Sequence, residues 1–147
     1  MKFKSEKDLL ETTIETKFFN SFSNKYYLKL LIEPTGLFGI PDVVLALLDS
    51  ETAPKKVIHS IAFEMKLSNW KRALIQAYKY RAFSEYSYVI LDNAHINPAI
   101  KNIEMFQTSN IGLLSINING DIEKHYKPRK EKPYSSNNEA TASGCII

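Results

Sequence analysis

The apolar residues change period along the chain, and each change marks an element. Leu10, Ile14, Phe18 and Phe22 recur every four residues behind Ser5, a ready N-cap, with acids in the first turn; this predicts an amphipathic helix over residues 5–22. Residues 26–33 (YYLKLLIE) have strand composition and stop at Pro34, after which TGLFG supplies turn residues ahead of Pro41. Two denser apolar runs follow, residues 42–48 and about 57–67, joined by the polar DSETAPKK, so the three strands predict an antiparallel meander. Residues 69–84 (NWKRALIQAYKYRAFS) return to helical spacing, with Ser68 or Asn69 as cap. Ala73 and Ala77 stack one turn apart there, on a face small enough to lie close against a sheet. Residues 86–91 (YSYVIL) and 111–118 (IGLLSINI) predict two more strands with a helix over about 98–107 between them. The order is αβββαβαβ within one domain, residues 1–119. From Gly120 the chain turns polar, KPRKEKP and then SSNNEATASG, which predicts a disordered tail over residues 120–147.

Composition narrows the class without choosing a function. At 147 residues, 44% of them hydrophobic, the chain can bury a single core. No apolar run reaches the length of a membrane span, and MKFKSEKDLLE turns charged where a signal peptide would turn apolar, so the reading is a soluble cytoplasmic protein. A net charge of +3 and a pI of about 8.9 permit an anionic partner but do not demand one. The single cysteine, Cys145, can form neither a disulfide nor a zinc site alone. His59, His95 and His125 fall in no metal-ligand spacing, and the chain has no GxSxG and no phosphate-cradling glycine loop. Asp92 and His95 follow the fourth strand as a conceivable acid/base pair, in a stretch (DNAH) that is also ordinary loop composition.

The informative charges sit where apolar residues are expected. Asp42 heads one apolar run, and Glu64 and Lys66 end the next. On strands, Glu64 and Lys66 point one way while Phe63, Met65 and Leu67 point the other. Carboxylates and an ammonium in such positions are costly unless they pair or bind a metal. Two carboxylates suit Mg²⁺, a hard ion that keeps several waters and takes substrate phosphate as a further ligand.

With Pro41-Asp42, Glu64-Met65-Lys66 and this order of elements, residues 5–118 resemble the PD-(D/E)xK metal-dependent nuclease superfamily. GIPDVVLAL followed by IAFEMK is similar to archaeal Holliday-junction resolvases, while Gln76 and Tyr80 resemble the QxxxY element of RecB-like nuclease domains. The resemblance implies an α/β fold with a restriction-endonuclease-like αβββαβ core, a central mixed sheet flanked by helices. It also implies hydrolysis of DNA phosphodiester bonds with Mg²⁺, for which Mn²⁺ substitutes, in restriction, repair or defence. RNA offers the same phosphate chemistry. Asp42 would be the central metal ligand, Glu64 a second and the Met65 carbonyl a third. Lys66 would orient the attacking water or stabilise charge developing on the phosphate. Members of this superfamily also survive as inactive nucleic-acid-binding or regulatory modules; retention of both acids and the lysine favours an enzyme.

Such nucleases commonly add an acid from the first helix, which here offers Glu6, Glu11 and Glu15. Glu11, beside the apolar stripe, is the choice, although all three read equally well as a solvated face near a helix N-terminus. Gln76 and Tyr80, four apart, would support the site from the second helix; the plainer reading is a helix edge with a packed tyrosine. Lys71, Arg72, Lys79 and Arg81 surround that helix with charge suited to phosphates. Symmetric cutting of two strands suggests a homodimer, with Tyr78, Phe83, Tyr86 and Tyr88 as candidate contacts.

Overall fold

The computed structural model describes residues 1–134. Helix α1 (Glu6–Glu15) leads into three strands, β1 (Tyr27–Ile32), β2 (Val43–Leu48) and β3 (Val57–Lys66). Helix α2 (Trp70–Tyr80), β4 (Tyr86–Asp92), two short helices α3 (Asn97–Lys101) and α4 (Ile103–Ser109), β5 (Gly112–Ile116) and β6 (Ile122–Tyr126) follow. The strands form one mixed, open sheet in the order β1-β2-β3-β4-β5-β6, parallel across β3, β4 and β5 and antiparallel at both margins. Because β3 and β4 are parallel neighbours, α2 is the crossover of a βαβ unit. Among the described residues no helix is long and apolar enough to cross a membrane.

Period-two alternation sorts the core onto two faces. Leu45, Ile61, Phe63, Met65 and Ile90 pack against Leu9 and Phe19 of the N-terminal segment. On the other face Val89, Leu91 and Leu113 meet Trp70, Ala73 and Ala77 of α2 and Phe106 of α4, and Val44 and Ala62 meet Tyr80 and Phe83. The alanines let α2 sit low on the sheet, as their spacing predicts.

Several expectations change. The first helix stops at Glu15 and does not run to Phe22. Thr13 and Thr16 turn their hydroxyls onto the carbonyls of Leu9 and Thr13 (2.7 Å each), Lys17 takes the left-handed conformation (φ 60°), and residues 18–22 continue as a 3₁₀ turn. The four-residue apolar spacing survives because that turn lays Phe18, Phe19 and Phe22 edge-on against Phe63. The polar stretch from Gly120 is not a tail over its first half: Ile122–Tyr126 forms β6, and residues 127–134 strap back across the ends of β4 and α2. Arg81, a candidate phosphate contact, is instead buried as the anchor of that strap. It donates to the Ser109 carbonyl (2.8 Å), pairs with Glu131, and lies over the Tyr134 ring (4.5 Å). Asn110 completes the anchor, donating to the Arg129 carbonyl (2.9 Å) and accepting from the Arg129 amide (2.8 Å). Of the four candidate dimer contacts, Phe83 and Tyr88 belong to the core and Tyr78 carries Tyr134 on its hydroxyl. Cys145, with the rest of residues 135–147, lies outside the described residues.

Candidate functional site

Hydrogen-bond register brings the start of β2 beside the end of β3. Val43 pairs with Phe63, so Asp42 just before it arrives at the level of Glu64 and Met65. Asp42 accepts a hydrogen bond from the Met65 amide through Oδ2 (2.7 Å), which pins its carboxylate across the strand end. A strand residue turns its N–H and C=O toward the same neighbour, so the Met65 carbonyl opens to the Asp42 side as well. Glu64, buried, accepts from the Tyr80 hydroxyl through Oε1 (2.7 Å). That hydroxyl also reaches the Ile40 carbonyl (3.1 Å), and the ring lies 3.0 Å from where a Cβ on Gly39 would stand. With φ +90° at Gly39, only glycine lets the loop before Asp42 pass over Tyr80 in this way.

Lys66 stands on the same face as Glu64, its Nζ 3.7 Å from Glu64 Oε2 and 3.8 Å from Glu6 Oε1. Between α1 and the strand ends opens a cleft of about 470 Å³, lined by Glu6, Glu11, Glu33, Asp42 and Met65 among others. Burial raises the pKa of Asp42; the Met65 amide and Lys66 oppose this, while Glu6 and Glu33 add to it. Glu64 is pushed up from 4.5 to about 7, by burial first and the Asp42 charge second, with Asp42 close enough to accept a hydrogen bond from a protonated Glu64. Burial and then Glu64 raise the pKa of Tyr80, so its hydroxyl remains a donor. Two carboxylates thus converge where burial first, and their mutual repulsion second, oppose ionisation of Glu64, with Lys66 between Glu64 and Glu6 offsetting this in part.

The structure brings Asp42, Glu64, Lys66, Met65 and Tyr80 together. Glu11 lines the same cleft but pairs with Lys7 at 4.0 Å, and it is Glu6 that touches Lys66. Gln76 lies one turn before Tyr80 on α2, and its Oε1 is buried without a partner among the described residues. Sequence reasoning missed Glu33, which takes φ 48° beside Asp42 and whose charge acts on it. A left-handed glutamate before Pro34 carries no sequence signal. Asp92 is a structural cap rather than an acid/base partner of His95, accepting from the Phe3 amide (2.8 Å) and the Ala94 amide (3.0 Å). His59 is a half-buried strand residue on β3, paired with Glu85 at 2.9 Å.

Among the described residues no three His, Cys, Asp or Glu side chains group as a metal site. A cation here would therefore rest on the Asp42 and Glu64 carboxylates, with backbone carbonyl and water oxygens completing its shell. That all-oxygen donor set fits Mg²⁺ and lacks the His and Cys ligands of a dedicated zinc site. In comparisons with known proteins, no family model, no curated protein and no solved structure matches the chain.

Proposed function

We propose that this chain is a divalent-cation-dependent nuclease hydrolysing DNA phosphodiester bonds. The observation that carries the proposal is the convergence of Asp42 and Glu64 at one strand end with Lys66 beside them, a pair whose mutual repulsion a dication would relieve. The element order α1-β1-β2-β3-α2-β4, with an antiparallel meander and a parallel βαβ unit, supports a restriction-endonuclease-like core. When bound, Mg²⁺ or Mn²⁺ would supply Lewis-acid stabilisation of the phosphate and of an ionised water. Asp42, held by the Met65 amide, and Glu64, steadied by Tyr80, would hold that ion through their carboxylates. Lys66 sits where an ammonium would orient the attacking water or neutralise charge building on the phosphate. Tyr80 acts through Glu64 and is a positioning residue.

The test is a cleavage assay on single-stranded, linear, nicked and four-way-junction DNA with Mg²⁺ or Mn²⁺, alongside Asp42→Asn and Lys66→Ala. Both variants should lose cleavage while retaining the fold, because the side-chain carbonyl in Asp42→Asn can still accept from the Met65 amide. Activity that survives both substitutions in pure protein would defeat the proposal. An inert wild type that still binds DNA would leave a regulatory module.

A further inference from the structure

A second concavity, of about 340 Å³, lies on the opposite face of the sheet from Glu64 and toward the other end of the strands. Leu47, Ile61, Tyr88 and Leu114 form its floor, each from a different strand, and the 3₁₀ turn after α1 roofs it with Phe18 and Phe22. Five aromatic rings line it: Phe18, Phe22, Tyr26, Tyr86 and Tyr88. Three are locked by neighbours. Tyr88 stacks on Phe63 at 5.3 Å and meets Phe22 edge-on at 5.7 Å, while Tyr26 meets His59 edge-on at 5.4 Å. The walls are therefore preformed, and the volume falls within the range that encloses small molecules.

Charge sets the kind of occupant. No aspartate or glutamate lines this cavity, whereas Lys124 on β6 and Lys127 just after it stand exposed on the rim and form no ion pair among the described residues. Register explains Lys124: it pairs with Leu114, so its side chain shares the face of that floor residue. His59, whose Nδ1 is bound to Glu85, adds a polar group to the wall. An aromatic cup with a cationic lip suits a flat ring carrying an anion.

We propose that this cavity binds a nucleotide, its base among the aromatic rings and its phosphate against Lys124 and Lys127. The nucleotide is either free or one unit of a strand, and the chemistry is common to both. The site is independent of the nuclease proposal: His59 lies five residues before Glu64 on β3 and on the other face, roughly 17 Å away along the strand.

The test is methyl NMR of the full chain in chelator, titrated with deoxyadenosine monophosphate, deoxyadenosine, inorganic phosphate and a four-residue single strand. The methyls of Leu47, Ile61 and Leu114 should shift with the mononucleotide, saturably, and at least tenfold more weakly with the nucleoside or phosphate alone. Lys124→Ala/Lys127→Ala should weaken the mononucleotide roughly tenfold, the loss expected for charge-assisted contacts. Ser21→Trp, at an exposed rim position, should block the cavity without touching the core. Tighter binding of the strand would assign the site to nucleic acid, and equal binding to free nucleotide. Absence of shifts at millimolar mononucleotide and strand, shifts unaffected by both variants, or equal shifts with phosphate alone would overturn the proposal. Asp42→Asn should bind as wild type does, so a failed nuclease leaves this result interpretable.

Discussion

Replacing Glu64 with glutamine should stabilise the cation-free protein at alkaline pH while removing its chemistry. The carboxyl is held near 7 against an ordinary 4.5, so ionising it in the fold opposes folding by about 3 kcal/mol. The sign follows from the raised value: the stabilisation is fully present below about 4.5 and is lost as pH rises through about 7. Asp42, also raised, acts in the same direction. An amide at position 64 is neutral at every pH, can accept from the Tyr80 hydroxyl, and can donate to Asp42 where the protonated acid does. Wild type in chelator should therefore lose up to about 3 kcal/mol between pH 5 and pH 8, and Glu64→Gln should lose less. For a domain of this size each kcal/mol corresponds to roughly 3–5 °C in melting temperature, so the two curves should separate by several degrees at pH 8 and converge near pH 5. Thermal or urea unfolding from pH 5 to 9 in chelator provides the assay. Parallel curves, or a glutamine variant weaker than wild type at pH 8, would refute the reasoning. Mg²⁺ should raise the wild-type melting temperature at pH 8 and leave the variant nearly unmoved.

Other consequences can be checked directly. Glu6→Gln should lower turnover by roughly tenfold or more, since Glu6 touches Lys66, whereas Glu11→Gln should remain closer to wild type in the same assay. Truncation after Ile118 removes β6 and the strap held by Arg81 and Asn110, and should abolish a cooperative melting transition; a sharp transition near the full-length value would show the strap to be dispensable. Gly112→Ala should cost about 1–3 kcal/mol in urea unfolding, because a Cβ there would stand 2.3 Å from the Tyr88 ring and 2.9 Å from Pro128.

What was legible in the sequence was whatever local period or composition determines. The meander, the α2 crossover and β4 follow from alternation and helical spacing, and Asp42 and Glu64 stood out because charges interrupt apolar strands. The break after Glu15 depends on threonine hydroxyls turning back onto the helix, against a four-residue apolar pattern that continues unbroken. The strand β6 hides because IEKHY is an edge strand with only Ile122 and Tyr126 apolar. Its strap hides because Arg81 and Asn110, polar residues 50 and 19 positions away from their partners in it, hold it by hydrogen bonds rather than by a hydrophobic run. Periodicity likewise placed an acidic face on α1, but which acid overhangs the end of β3 depends on where the helix begins, and that is Glu6.

The most direct measurement is calorimetric titration of Mn²⁺ at pH 7, in two buffers of different ionisation enthalpy, into wild type and Asp42→Asn, with and without bound DNA. If Asp42 and Glu64 hold the cation, binding must displace the proton that burial and Asp42 favour on Glu64, and so release protons at that pH. Asp42→Asn should show no comparable binding. Absence of Mn²⁺ binding by the wild type even on DNA, equal binding by Asp42→Asn, or binding without proton release would contradict the account.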